Sequence, residues 1–351
     1  MRVLLTTCSY QDTPGPHHAK MAAQGWDLVR ERGPLSEARM LELAGDFDAF
    51  LCGDDAITRA VIEKSLPRLQ VISKYGIGLD KIDIPATQQL RVPVLFTPGV
   101  NHDTVAEHTF LLLLALAKNF PYAIDGTRAG RWDRMTGSEL FAKRIGLIGL
   151  GRIGQEVARR ARAFGMQVHG FGNYWPDDFA TEFQITRHLS LDSLFGSVDI
   201  ISPHTNLNAQ TLHCINAERL NRLPDGAWII NTGRGELIDQ AAILAALDSG
   251  KLAGYAADVL DQEPPPADHP LLHHPKVIIT PHVGSRTFES VPRQALKSLT
   301  NLINALHGNG ECNCANGVIE STPPPLPPHP NLQSRVIPSD SSGGQGSLLA
   351  P

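Results

Sequence analysis

Residues 144–154 read Arg144-Ile-Gly-Leu-Ile-Gly-Leu-Gly-Arg-Ile-Gly154, and this stretch decides the fold. An apolar run leads into G-x-G-x-x-G, formed by Gly149, Gly151 and Gly154. Gln155–Met166 follows, with Val157, Ala158, Ala161 and Phe164 on one helical face. Strand, glycine turn and helix in that order are the context a dinucleotide-binding turn requires. Gly149 permits the tight turn, Gly151 lets backbone approach a pyrophosphate, and Gly154 allows the helix to pack closely on the strand. Arg152 and Ile153 open the helix, whose unpaired N–H groups and positive dipole end would face the phosphates. About twenty residues on, an acidic side chain normally meets the ribose hydroxyls. Here the chain has Gly172-Asn173-Tyr174 instead. Asn173 is the expected ribose contact and NAD the expected cofactor; NADP stays open, because neither a carboxylate nor an arginine stands there.

Outward from this motif, ten short apolar runs alternate with helix-like stretches. They are Val3–Leu5, Ala49–Cys52, Leu69–Ser73, Val92–Phe96, Ile145–Leu150, Gln167–Phe171, Ile200–Ser202, Ala227–Asn231, Ala253–Asp258 and Val277–Thr280. Strands separated by helical lengths imply βαβ units. Ten exceed one comfortable sheet, so the expectation is α/β with two parallel-sheet domains. Between the two groups, Thr104–Asn119 places Val105, His108, Leu111, Leu112, Ala115 and Leu116 at helical spacing.

Composition narrows the function classes. The 351 residues are 42% hydrophobic and 19% charged, with a net charge of −5, and no basic patch suggests nucleic acid. The longest apolar run, Phe110–Ala117, is far short of the roughly twenty residues of a membrane span. Met1–Ser9 lacks the features of a secretory leader. Five scattered cysteines suit a reducing, cytoplasmic setting better than a disulfide framework. From Gly308 the chain turns Gly/Asn-rich, then proline-rich, then Ser/Gly-rich. Residues 309–351 are therefore expected to form a disordered tail with polyproline-II character. PPPLPPHP could alternatively dock an SH3-like groove. Cys312 and Cys314 are expected as free thiols rather than a metal site, and no metal is expected elsewhere.

Three later segments follow apolar strands, where ligands meet open α/β sheets. NTGRGELID places Arg234 in a glycine-flanked turn suited to fork onto a carboxylate. ADVLDQEP carries Asp258 and Glu263, and TPHVGS carries His282. Taken singly, each has an ordinary reading as a surface ion pair, a solvated acid or a loop histidine.

Together, in this order after GLGRIG, they resemble the D-isomer-specific 2-hydroxyacid dehydrogenases, the group that includes phosphoglycerate dehydrogenase. The resemblance runs from the first strand to about Leu306. It implies that Arg234 holds the substrate carboxylate, that His282 is the acid/base, and that Glu263 pairs with His282. It also implies cofactor contacts at His204, Thr205, Thr232, Gly233, Asp258, His282 and Gly284, with Asp258 near the nicotinamide amide. Asn206 departs from the family by replacing a proline. The implied architecture is a Rossmann NAD-binding domain, 100–284, inserted into a flavodoxin-like substrate domain, 1–99 plus 285–308, with hinges near Pro98–Asn101 and Val283–Ser285. A homodimer built on the Thr104–Asn119 helix is implied as well.

On the substrate side, Ser73-Lys-Tyr-Gly-Ile-Gly-Leu-Asp80 matches the family loop whose N–H groups meet the substrate carboxylate, with Ile77 and Gly78 the best candidates. Asn101 at the hinge could face the pocket. Lys74 could bind a phosphate or be an ordinary surface lysine. Glyoxylate, hydroxypyruvate and 3-phosphoglycerate all stay open, as does phosphite. Formate is disfavoured, because Glu263 stands where that branch carries glutamine. The other reading of the chain is a nicotinamide-sensing, corepressor-like scaffold with little turnover.

Overall fold

The computed structural model describes residues 1–308 and 310–319. Two separate parallel sheets form. The first contains β1 (Arg2–Leu5), β2 (Asp27–Arg30), β3 (Ala49–Cys52), β4 (Val71–Lys74) and β5 (Val94–Leu95), in the order β2-β1-β3-β4-β5. The second contains β6 (Arg144–Ile148), β7 (Gln167–Phe171), β8 (Thr186–Arg187), β9 (Ile200–Pro203), β10 (Ala227–Asn231), β11 (Leu252–Ala257) and β12 (Val277–Ile279). Its order is β12-β11-β10-β9-β6-β7-β8. Both orders are doubly wound, the first flavodoxin-like and the second Rossmann-like. Strands buried on both faces explain the continuous apolar runs: every residue of β3, β4 and β10 is buried.

Each doubly wound sheet reverses its strand order once, and a crevice opens there beyond the carboxyl ends of the strands. In the second sheet the reversal lies between β6 and β9, so the glycine turn after β6 and His204 after β9 share that crevice. In the first it lies between β1 and β3, which places Thr6–Ser9 beside Gly53–Asp55.

The helix Ser290–His307 returns to the first sheet. Its Val291, Ala295, Leu299 and Leu302 join a core with Val3, Leu5, Leu51 and Val71. Ser73 Oγ donates to the Ser298 carbonyl at 2.9 Å, and Asn301 Nδ2 to the Phe96 carbonyl at 2.8 Å. The helix His102–Ala117 packs instead on the second sheet, through Ala106, Phe110, Leu113 and Ala117.

The tail expectation needs correction at its start. Residues 310–319 are packed against the first sheet, not loose. Cys314 bridges Leu95 in antiparallel fashion, Phe96 N–H donates to the Asn313 carbonyl at 3.0 Å, and Ala315 N–H to the Val94 carbonyl at 2.7 Å. Asn316 is buried; its Nδ2 donates to the Thr87 hydroxyl at 3.0 Å and the Val92 carbonyl at 2.7 Å, and its Oδ1 accepts from Val94 N–H at 3.2 Å. The physical reason is the open edge of β5, whose N–H and C=O groups need partners. The proline-rich stretch lies outside the described residues.

Candidate active site

Residues of the two sheets converge on adjoining cavities. One, of about 450 Å³, is lined from the glycine-turn side by Ile153, His204, Thr205, Thr232 and Gly233, and from the first sheet by Ile77 and Gly78. The other, of about 660 Å³, reaches toward β1 and β3. Asn101, Arg234, Asp258 and His282 line both.

The glycine turn has the geometry its sequence demands. Gly149 has φ +100°, and a Cβ there would lie 2.5 Å from the His204 carbonyl oxygen. A Cβ on Gly154 would lie 2.1 Å from the Gly149 carbonyl oxygen. Gly151, by contrast, faces open space, and it N-caps the helix Arg152–Ala163 with no side chain in the way. A cradle of bare backbone N–H groups beside an open volume fits a pyrophosphate. His204 Nε2 lies 2.9 Å from Ser202 Oγ, and burial pushes the imidazole down to about 3, so it stays neutral beside the cleft.

At the ribose position the structure shifts attention by one residue. Asn173 is exposed, and neither it nor Gly172 lines either cavity. Gly172 is the residue beside the turn: a Cβ there would lie 3.5 Å from Gly149 Cα and 3.3 Å from the Tyr174 carbonyl oxygen. Arg152 reaches toward Gly99.

The Arg234 turn is built by Asn231, fully buried at the end of β10. Asn231 Nδ2 donates to the Arg234 carbonyl at 2.8 Å, and its Oδ1 accepts from Gly233 N–H at 3.0 Å. Thr232 Oγ1 lies 2.9 Å from Thr109 Oγ1. Gly235 then brings this turn against the loop after β11; a Cβ on it would lie 1.9 Å from the Leu260 carbonyl carbon.

Arg234 crosses to the first sheet. Its Nε donates to Asp80 Oδ1 at 2.9 Å, and its guanidinium occupies the space beside Gly78, where a Cβ would lie 1.6 Å from Nη2. Burial works against the charge, but Asp54 and Asp80 more than offset it and hold Arg234 protonated. A second cross-sheet pair, Lys81 Nζ to Glu236 Oε1 at 3.0 Å, lies on the same two loops.

Glu263 and His282 do meet. His282 Nδ1 lies 2.7 Å from Glu263 Oε2, while Glu263 Oε1 accepts from Leu260 N–H at 3.0 Å. Burial disfavours imidazolium; the hydrogen bond and charge of Glu263, with the charge of Asp54, override it, and the histidine pKa is raised. With Nδ1 committed to Glu263, Nε2 is the nitrogen able to exchange a proton with a ligand. His282 has φ +53°, in the left-handed region, where a non-glycine residue persists only because its surroundings enforce it.

Asp258 supplies that enforcement. Its Oδ1 accepts from Thr280 Oγ1 at 2.6 Å and Val283 N–H at 2.9 Å, and its Oδ2 from Gly284 N–H at 2.6 Å. His108 Nε2 lies 3.3 Å from Oδ1. Burial would raise this carboxyl, but His108, Thr280 and the Val283 N–H keep it below the usual range. The aspartate expected near a nicotinamide amide thus also clamps the segment that carries His282.

Lys74 is not a surface lysine. It is buried, and its ammonium donates to Asp54 Oδ1 at 2.6 Å and to the Gly53 carbonyl. Asp54 and Asp80 are site residues that sequence reasoning missed. The signal for Asp80 was present, as the last residue of the quoted Ser73–Asp80 loop.

Residues 110–284 match the sequence profile described as D-isomer specific 2-hydroxyacid dehydrogenase, NAD binding domain. The chain is 39% identical over 283 residues to a glyoxylate reductase of Thermofilum pendens, covering 78% of this chain and 83% of that one. It is 39% identical over 259 residues to a D-3-phosphoglycerate dehydrogenase of Methanocaldococcus jannaschii, covering 73% of this chain but only 49% of that longer one. Among solved structures, the TT0316 protein from Thermus thermophilus superposes with a TM-score of 0.79 at 34% identity, covering 88% of this chain and 98% of that one. The glycine cradle, the Glu263–His282 pair and the arginine between the sheets therefore sit in a chain that belongs to the D-isomer-specific 2-hydroxyacid dehydrogenase family, NAD-binding oxidoreductases that pass a hydride between cofactor and a 2-hydroxy or 2-oxo acid.

Proposed function

We propose that this chain reduces a small 2-oxo acid to the D-2-hydroxy acid, with Arg234, Glu263 and His282 as its working side chains. The observation that carries the reading is the 2.7 Å Glu263–His282 pair facing the same cavity as Arg234. Arg234 would fork the substrate carboxylate and polarise the keto oxygen, a task that its planar donors suit. Ile77 and Gly78 line the same cavity as Arg234, and their N–H groups would meet the substrate carboxylate. When bound, the nicotinamide cofactor supplies the hydride to the carbonyl carbon, or takes it in the reverse direction. His282 Nε2 gives its proton to the carbonyl oxygen in reduction and accepts the hydroxyl proton in oxidation. Gly149, Gly151, Gly154, Thr205, Thr232, Gly233 and Gly284 would hold the cofactor, and Asp258 would position the His282 segment. No carboxylate stands at Gly172-Asn173 to exclude a ribose 2′-phosphate, so NADPH is expected to serve as well as NADH.

The test is reduction of glyoxylate, hydroxypyruvate and phosphohydroxypyruvate with each nicotinamide, on wild type and Arg234→Ala. Loss of one charge-stabilising donor typically costs ~10²–10³-fold in turnover, while cofactor affinity is expected to hold. An unchanged rate in that variant would remove the assignment.

A second copy of the chain is the natural partner of one surface. Leu111, Phe120, Tyr122, Trp132, Met135 and Phe141 are exposed along the His102–Ala117 helix and the following segment, Trp132 at 79%. So many exposed large apolar side chains within one segment suit an association site. Light scattering should give a dimer, and Trp132→Glu should lower the mass toward a monomer. Five cysteines, odd in number and scattered along the sequence, suit the reducing cytoplasm as its compartment.

A further inference from the structure

The loop after β3 carries two adjacent acids with different tasks. Asp55 is fully buried and structural: its Oδ2 accepts from Thr6 Oγ1 and from Gly53 N–H at 3.0 Å, and its Oδ1 from Leu35 N–H at 2.8 Å. It ties together the ends of β1, β2 and β3 and fixes the loop. Asp54, next to it, points into the 660 Å³ cavity, at the reversal between β1 and β3 where ligands of such sheets bind. Its Oδ1 takes the Lys74 ammonium at 2.6 Å and stands 3.9 Å from Arg234 Nη2. Among the described residues, no group donates to its Oδ2, and 38% of the side chain is accessible.

We propose that Asp54 determines which 2-oxo acid this enzyme prefers: its open Oδ2 accepts a hydrogen bond from a hydroxyl on the carbon beyond the keto group. This rests on the proposed reduction of 2-oxo acids at Arg234 and His282. A substrate forked on Arg234 places its next carbon toward the carboxylate that already lies 3.9 Å from that guanidinium. Lys74 has neutralised the charge of Asp54, so the open oxygen suits a neutral donor rather than a second cation. A phosphate on the same carbon would meet a carboxylate, and Lys74, the cation nearest to it, is already engaged. Beyond Arg234, which the substrate carboxylate would occupy, the remaining arginines of this cavity, Arg32 and Arg286, share Asp12, at 2.8 and 2.7 Å. Burial would raise the Asp54 carboxyl, but Lys74, Arg234 and His282 hold it well below the usual range, so it is an acceptor only at working pH.

The experiment compares kcat/KM for glyoxylate, pyruvate, hydroxypyruvate and phosphohydroxypyruvate, in wild type and in Asp54→Asn, which keeps the acceptor for Lys74. Wild type is expected to favour hydroxypyruvate over pyruvate by ~10- to 100-fold, the range of a hydrogen bond to a charged group, and to turn over phosphohydroxypyruvate least of the four. Asp54→Asn is expected to cut the hydroxypyruvate-to-pyruvate ratio at least ~5-fold and to raise phosphohydroxypyruvate relative to hydroxypyruvate by about tenfold. If the asparagine variant melts early, Asp54→Ser supplies the same two ratios. Equal rates on pyruvate and hydroxypyruvate in wild type, or ratios untouched by the substitution, would overturn the role of Asp54 while leaving glyoxylate reduction in place. Failure on all four acids, glyoxylate included, would overturn the underlying reading and this one with it.

Discussion

Replacing Glu263 by glutamine keeps the shape of the loop and removes one charge. The amide oxygen can still accept from Leu260 N–H, but the group facing His282 Nδ1 becomes a donor instead of an acceptor. A hydrogen bond to a charged partner contributes ~1.5–3 kcal/mol, and ~1.4 kcal/mol is tenfold in rate, so reduction near neutral pH should slow by about 10- to 150-fold. The sign of the pH effect is also set. His282 is raised in the native enzyme, so imidazolium survives to higher pH, and kcat/KM for reduction should fall only as pH rises through that raised value. Oxidation needs the neutral ring and should rise over the same window. Without the Glu263 charge, burial is left as the dominant influence and draws the pKa down; the falling limb of reduction should move to lower pH, and the rising limb of oxidation with it. The assay is loss of reduced nicotinamide at limiting 2-oxo acid from about pH 5 to about pH 9, with cofactor binding followed by fluorescence. A limb that stays where it is in Glu263→Gln would refute the pairing as the cause.

Two further substitutions test the scaffold around this pair. Gly172→Asp places a carboxylate beside the glycine turn at the cost of a slight adjustment against the Tyr174 carbonyl; it should raise the NADH-to-NADPH ratio of kcat/KM by about tenfold or more, through a charge-assisted bond to the ribose hydroxyl and repulsion of a 2′-phosphate. Gly235→Ala should destabilise by about 1–3 kcal/mol or more, because its Cβ meets the Leu260 backbone at 1.9 Å, and thermal melting should fall by several degrees. A Gly196→Ala control, whose Cβ approaches nothing closer than 3.6 Å at a φ of −69°, should fall less.

Legibility in the sequence followed locality. Gly149 and Gly154 were readable because backbone geometry within a few residues leaves no other choice, and the Arg234, Glu263 and His282 loops because each ends a strongly apolar strand. The ten expected strands became twelve among the described residues. β2 (Asp27–Arg30) and β8 (Thr186–Arg187) escaped notice because edge strands are short and polar, with no buried face to write a pattern. Asp54 acquires its meaning only where Arg234 of one sheet lies down on Gly78 of the other, a contact that no spacing along the chain encodes, and there Asp80, which closes the quoted loop, also finds its partner. The segment from Gly310 to Asn316 misled because asparagine and glycine read as loop composition, whereas the Asn313 carbonyl, the Ala315 N–H and the Asn316 side chain complete the ladder of an unfinished edge.

The pairs Arg234–Asp80 and Lys81–Glu236 join the same two loops and together form an ionic clasp between the halves of the molecule. Opening of the proposed cleft would break both, so letting product go and loosening the proposed substrate arginine would be a single event. Dissolved salt screens exposed charges over a Debye length of ~8 Å at physiological strength, so rising ionic strength should slacken the clasp chiefly at the more exposed Lys81–Glu236 pair and hasten release. The same salt weakens the grip on an anionic substrate. The enzyme then trades capture against release along one physical axis, and the ionic medium decides where on it turnover is fastest.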